Sequence, residues 1–251
     1  MRIIIHGYGR SGTTVLQRIL NSCSDVWITN EFLLYDMPFG HVLHSGRDIK
    51  TAENYFRSLL IKDAWNTTKE HFPEYPPTLN RTTFVNDCLN NLVEDTPIGR
   101  ILAVEKVLYS NIENFGDKLL TPYVLNDLRE VGLAYKLIYI TRDGRSAALS
   151  QKRYGFEHGN YVNSWIKSAN FINSIKNQDK DNFLHVRLED LSSNPKLVLS
   201  CLSTFLCLDY SELENGYSKN FNKDLIGTYD FSQLTITEEF KQALGLWGYN
   251  Y

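Results

Sequence analysis

The densest chemical signal in the chain is Gly7-Tyr8-Gly9-Arg10-Ser11-Gly12-Thr13-Thr14. Glycines at this spacing let the backbone wrap an anion with its N–H groups, and a helix opening at Thr13 adds the positive end of its dipole. Gly7 and Gly12 with Thr13-Thr14 match the phosphate-loop spacing GxxxxGK[ST]. Loops that serve ATP or GTP carry Lys after the second glycine, where it reaches the terminal phosphates. Here Thr13 stands in that place, and the cation is Arg10, inside the loop. The anion cradle is kept while the lysine of triphosphate chemistry is lost. A glycine-rich turn can also serve tight packing alone. This one, however, joins a β-branched run, Arg2-Ile3-Ile4-Ile5-His6, to a helically spaced set, Val15, Leu16, Ile19 and Leu20, the setting a phosphate loop needs.

A second anion group follows Ile138-Tyr139-Ile140, in Thr141-Arg142-Asp143-Gly144-Arg145 and on to Ser150. Arg142 falls at the carboxyl end of a predicted strand, where α/β sheets bind ligands. Ser150 lies about two helical turns later. A guanidinium and a hydroxyl together give a phosphate several charge-assisted hydrogen bonds. The plainer alternative makes Asp143 a helix cap and Arg142 with Arg145 a solvated basic patch.

In this order, the two motifs resemble the donor site of sulfotransferases that use 3′-phosphoadenosine-5′-phosphosulfate, nearest to their bacterial and tyrosylprotein-type branches. A third block agrees. Phe183-Leu184-His185-Val186-Arg187-Leu188-Glu189-Asp190-Leu191, then Ser193-Asn194-Pro195 and Phe205-Leu206, is similar to the family's V-R-Y-E-D-L … N-P … F-L segment. Its role is expected to be structural, with Asp190 and Ser192 as turn and capping residues. The resemblance spans roughly residues 1–31 and 101–208. It implies that Arg10, Ser11, Gly12, Thr13 and Thr14 hold the donor's 5′-phosphate and sulfuryl group, and that Arg142 and Ser150 hold its 3′-phosphate. It also implies an enzyme that leaves adenosine 3′,5′-bisphosphate as product and needs no metal.

Sulfuryl transfer to a hydroxyl proceeds by in-line attack, with catalysis resting on positioning, cationic stabilisation and a base. Glu31, after the predicted strand Val26-Trp27-Ile28, matches the catalytic Glu of the tyrosylprotein-type members, and a strand-end cap is its structural alternative. His41 and His44 are rival bases, while His6, in or just after the first strand, reads as structural. For the cation on the leaving group, Lys106 ends the apolar run Ile101–Glu105, read as the third strand. Lys118, in Gly116-Asp117-Lys118, resembles the family's G-D-K but lacks a preceding apolar strand. Lys106 is preferred, and Lys118 stays open. Arg145, Lys152 and Arg153 are candidates to add to the donor's field. Trp165 and Leu246-Trp247-Gly248-Tyr249 are taken as core, which is the commoner use of aromatics at such positions.

The elements that must position these residues alternate strand and helix. Strands are expected at Arg2–His6, Val26–Ile28, Ile101–Glu105, Lys136–Ile140 and Phe183–Val186. Helices are expected after Thr13, over Ala52–Ile61, Phe84–Leu92, Tyr123–Val131, Gly144 to about Arg153, Tyr161–Ile175, Pro195–Leu206 and Thr237–Leu244, with a loop over Phe72–Pro77. That alternation predicts an α/β, phosphate-loop-like three-layer fold. It has a central parallel sheet of about five strands between helices, read as one domain over residues 1–251. Residues 36–98 read as a mostly helical insertion covering the acceptor site.

Composition fits one folded globular chain. Of 251 residues 43% are apolar and 22% charged, which excludes disorder. A net charge of −3 argues against nucleic acid and anionic membranes as partners. No run approaches the roughly 18 apolar residues of a membrane span, and the opening residues read as a strand, not a signal peptide. Cys23, Cys88, Cys201 and Cys207 show no metal-ligand spacing and read as reduced, mostly buried thiols. The expectation is a cytoplasmic sulfotransferase acting on a small-molecule, glycan, lipid or peptide hydroxyl. Two alternatives stand beside it: a nucleotide kinase or NTPase with Val104-Glu105 as its acidic strand end, and a catalytically silent nucleotide-binding protein of the same fold.

Overall fold

The structure, a computed structural model, describes residues 1–40, 49–61, 80, 82–119, 121–152, 158–222, 226 and 229–250. Its strands are β1 Arg2–His6, β2 Val26–Asn30, β3 Asn114–Lys118, β4 Lys136–Thr141 and β5 Phe183–Arg187. They form one sheet in the order β2-β3-β1-β4-β5. The helices are α1 Thr13–Leu20, α2 Ala52–Ile61, α3 Phe84–Asn91, α4 Pro97–Leu108, α5 Val124–Glu130, α6 Gly144–Lys152, α7 His158–Gln178, α8 Leu188–Ser193, α9 Pro195–Leu206, α10 Tyr210–Asn220 and α11 Glu238–Leu246. This is the α/β architecture that the strand–helix alternation predicts. None of the described helices is long and apolar enough to cross a membrane.

The chain divides into two compact units, Met1–Ile4 with Asp25–Tyr135, and Ile5–Ser24 with Lys136–Tyr251. In the first, β2 and β3 run parallel, in register from Val26 opposite Asn114 to Asn30 opposite Lys118. Strand β3 was not expected, because Asn-Phe-Gly-Asp-Lys has none of the β-branched residues that mark strands. Two polar features make it one. Gly116 admits the Ile3 carbonyl so closely that a Cβ there would sit 1.7 Å from the oxygen. Asp117, fully buried, accepts from the Thr29 hydroxyl at 2.9 Å and the Phe32 N–H at 3.0 Å.

The expected strand Ile101–Glu105 is helix α4 instead. Thr96 caps it, its hydroxyl accepting from the Gly99 N–H at 3.1 Å, and Pro97 occupies its first turn. Ile101, Val104, Glu105 and Leu108 are buried while Leu102 and Lys106 are exposed, so the apolar run has helical period. Within this unit Tyr55, Phe56, Leu59, Phe84 and Cys88 form a core of α2 and α3. The expected loop Phe72–Pro77 and much of the expected covering segment lie outside the described residues.

In the second unit β4 and β5 run parallel, from Leu137 opposite Phe183 to Thr141 opposite Arg187. The Tyr139, Phe183, His185 and Trp247 rings pack together there, Trp247 edge-on to Tyr139 with ring centroids 4.6 Å apart and edge-on to His185. Tyr139 and Trp247 are fully buried, while Phe183 and His185 are half-buried at the edge of the cluster. Trp165 packs edge-on against Phe240, so both tryptophans assigned to the core lie in it. His6 is fully buried, stacked on Tyr139, with Nε2 3.2 Å from the Ser168 hydroxyl. Asp190 and Ser192 do not form a turn; they lie in α8, whose Leu188 and Leu191 are buried. Helix α9 buries Val198, Leu199, Leu202 and Leu206. Its Cys201 faces solvent, as does Cys207 just past its end, so only Cys23 and Cys88 are buried thiols.

Candidate active site

In the second unit, the loop between β1 and α1 makes its turn with the Ser11 N–H donating to the Tyr8 carbonyl at 3.1 Å. Gly12, at φ 91°, is the residue before α1. A Cβ there would press on Leu188 Cδ1 at 2.7 Å, and the left-handed conformation itself favours glycine. Arg10 holds a left-handed backbone at φ 70°. Tyr161, from α7, donates its hydroxyl to the Gly9 carbonyl. Arg10, Ser11, Gly12, Thr13 and Thr14 therefore form one turn at a helix N-terminus, the geometry of an anion cradle.

The second anion motif meets this loop. Arg10 Nε donates to Ser150 Oγ at 3.2 Å, and Arg142 Nη1 reaches the Arg10 carbonyl at 3.4 Å. Arg142 and Ser150 are each 4% exposed. Arg142 Nη2 donates to the Ile226 carbonyl and, at 3.2 Å, to the Tyr229 hydroxyl, while its guanidinium lies 5.2 Å from the Tyr229 ring centroid. Among the described residues, the buried Ser11 Oγ and Arg142 Nε of these two motifs have no hydrogen-bond partner. An orphaned donor in each motif is what a bound anion would satisfy. Arg145 is engaged elsewhere, 2.6 Å from Asp143 and 2.7 Å from the Asn250 carbonyl. Arg153 and the Lys152 side chain lie outside the described residues.

In the first unit, β2 and β3 end in an ion pair. Lys118 Nζ is 2.7 Å from Glu31 Oε1, and the Glu31 N–H donates to the Lys118 carbonyl at 3.2 Å. The lysine side chain is 7% exposed and that of Glu31 33%. Glu31 and Leu33 both have positive φ, 53° and 66°. Lys106 does not join them. It sits exposed on α4, so the strand-end place from which its role was inferred does not exist. Lys118 holds that place, and its signal in the sequence was Gly-Asp-Lys itself. Glu105, the candidate acid of a kinase reading, faces the core. It takes Arg2 in a two-pronged pair at 2.6 Å and accepts from Tyr35 at 2.9 Å. His41 and His44 lie outside the described residues. Tyr161 and Tyr229, which touch the anion cluster, carry no signal that sets them apart from core aromatics.

One cluster can bind an anion at two cationic points; the other pairs a proton acceptor with an ammonium group. A family model described as the sulfotransferase family matches residues 2–212. No curated protein matches the chain. Among solved structures, the sulfotransferase domain from the curacin biosynthetic pathway is similar at TM-score 0.64 and 16% identity, over 99% of this chain and 98% of that one. The sulfotransferase domain of the Synechococcus PCC 7002 olefin synthase follows at 0.61 and 15%, covering 100% and 96%. Sulfotransferase STF9 from Mycobacterium avium gives 0.53 and 11%, covering 97% and 75%.

Proposed function

Because the chain belongs to the sulfotransferase family, we propose that it moves a sulfuryl group from 3′-phosphoadenosine-5′-phosphosulfate to a hydroxyl acceptor. The observation that carries this reading is the meeting of the two anion motifs, Arg10 on Ser150 and Arg142 on the Arg10 carbonyl, each motif keeping one orphaned donor, Ser11 Oγ and Arg142 Nε. A nucleotide charged at both its 5′ and 3′ positions uses two cationic points. The loop's Thr13, where triphosphate enzymes carry Lys, favours the same donor. The kinase reading loses its acid, since Glu105 lies on α4 in its pair with Arg2.

In this proposal the loop N–H groups with Arg10, Ser11, Thr13 and Thr14 hold the 5′-phosphosulfate, and Arg142 with Ser150 holds the 3′-phosphate. The bound donor supplies an activated sulfuryl group. Glu31 takes the acceptor's hydroxyl proton as its oxygen attacks sulfur. Lys118 stabilises the negative charge left on the 5′-phosphate oxygen as the S–O bond to it breaks. Lys118 thus takes the role first assigned to Lys106. The acceptor is a small-molecule, glycan, lipid or peptide hydroxyl, and four free thiols suit a cytoplasmic place.

Calorimetry without metal tests the donor. Adenosine 3′,5′-bisphosphate should bind at sub-millimolar concentration, and Arg142→Ala should weaken it roughly 10- to 100-fold, the loss of a charged hydrogen-bonding group. Binding of ATP with Mg²⁺ but not of the bisphosphate would overturn the reading.

A further inference from the structure

Hydrogen bonds on both sides of Arg142 lead to a single hydroxyl. Thr141, the last residue of β4, shares its Oγ1 with Tyr249 Oη at 2.9 Å and with His185 Nε2 at 2.7 Å. Asp143, the next residue after Arg142, donates its backbone N–H to Glu189 Oε1 at 2.9 Å. Tyr249 donates to the other oxygen, Glu189 Oε2, at 3.0 Å. Tyr249 is 3% exposed, with the Arg187 guanidinium 4.5 Å from its ring centroid. Its neighbour's carbonyl, on Asn250, takes Arg145 in the first turn of α6.

The directions of these bonds follow from proton counts. A carboxylate only accepts and a phenol has one proton. Tyr249 therefore gives its proton to Glu189, the Thr141 hydroxyl gives its own to the Tyr249 oxygen, and His185 donates from Nε2 to Thr141. The chain runs one way, from imidazole to carboxylate, and each donor polarises the next. Burial, then the Glu189 charge, raise the Tyr249 phenol above its ordinary range, so it remains a donor throughout.

We propose that Tyr249 and Glu189 are positioning residues, which fix the backbone before and after Arg142 and so aim its guanidinium at the 3′-phosphate. The proposal rests on the donor reading above. A charged group on a long side chain discriminates between ligands only when its backbone is held within about half an ångström of the productive place. Neither residue need touch the nucleotide.

The test is the ratio of two affinities, for adenosine 3′,5′-bisphosphate and for adenosine 5′-monophosphate, which lacks the 3′-phosphate. Calorimetry on the wild type, Tyr249→Phe and Glu189→Gln gives both constants, and thermal unfolding of each variant runs alongside. Tyr249→Phe keeps the ring and its contact with Arg187. It should weaken the bisphosphate roughly tenfold, the loss of one charge-assisted hydrogen bond, and leave the monophosphate within about twofold. Glu189→Gln should shift the ratio the same way, and it carries the test if Tyr249→Phe does not fold. In an Arg142→Ala background Tyr249→Phe should no longer change the ratio. Equal weakening of both ligands, or a lower Tm with an unchanged ratio, means that the two residues only stabilise the fold and overturns their positioning role. A wild type with no preference for the bisphosphate overturns the donor reading and this proposal with it.

Discussion

Arg10 and Glu31 hold left-handed backbone at φ 70° and 53°, a conformation that costs a non-glycine residue about 1–2 kcal/mol. Glycine would remove that strain, yet an arginine and a glutamate stand there. Such strain is kept where a side chain must point from a fixed place, which supports the roles proposed for both. The types and places of Arg10, Ser11, Arg142 and Ser150 were legible because they lie in motifs with fixed spacing. Lys118 was legible only as three letters, since the strand that delivers it has a polar sequence. Assays of sulfuryl transfer separate the two lysines: Lys118→Ala should lower kcat by roughly 10²–10³-fold, while exposed Lys106→Ala should stay within about twofold. Glu31→Gln should lower kcat by about 10²–10⁴-fold. A large loss in Lys106→Ala alone would return the role to that residue.

At the level of elements, two segments were misread for opposite reasons. Ile101-Leu102-Ala103-Val104 is an apolar run too short for its period to show, and such runs serve strand or helix equally. The deciding signal lay outside it, in the cap Thr96-Pro97 that begins α4. Strand β3 was hidden for the opposite reason. Its burial comes from a glycine under the Ile3 carbonyl and a carboxylate whose Oδ1 accepts from Thr29 and Phe32, partners remote in sequence. Helix α9 ends less economically. Cys207 takes the left-handed closing position at φ 56° that glycine usually fills. Cys207→Gly should relieve that strain and stabilise the protein by about 0.5–1 kcal/mol. In a chain of this size that raises Tm by roughly 1–4 °C, measurable by calorimetry; an unchanged or lower Tm would rule it out.

Over the whole molecule, the net charge of −3 conceals opposite local balances, with guanidinium groups gathered at Arg10 and Arg142. Acid stability depends on a different group. Burial, then Lys176 and Arg187, lower the His185 pKa to about 4 from 6.5. Between those values the unfolded chain binds a proton that the folded one refuses, so folding stability falls as pH drops from about 6.5 towards 4. For this part-exposed ring the loss amounts to at most about 2 kcal/mol. Urea unfolding at pH 7.5 and 4.5 should show His185→Gln losing less stability than the wild type over that interval; equal losses would remove His185 as the cause.

The division of β1 between two units has a consequence for synthesis. The loop between β1 and α1 belongs to a unit whose remaining residues begin at Lys136, and about a hundred residues of the other unit are made in between. At roughly 5–20 residues per second, the ribosome delivers β4 about 5–20 s after α1. For that interval the loop and its helix are held by neither β4 nor Tyr161, so the residues proposed to hold the donor's 5′-phosphosulfate are translated well before the neighbours that enclose them.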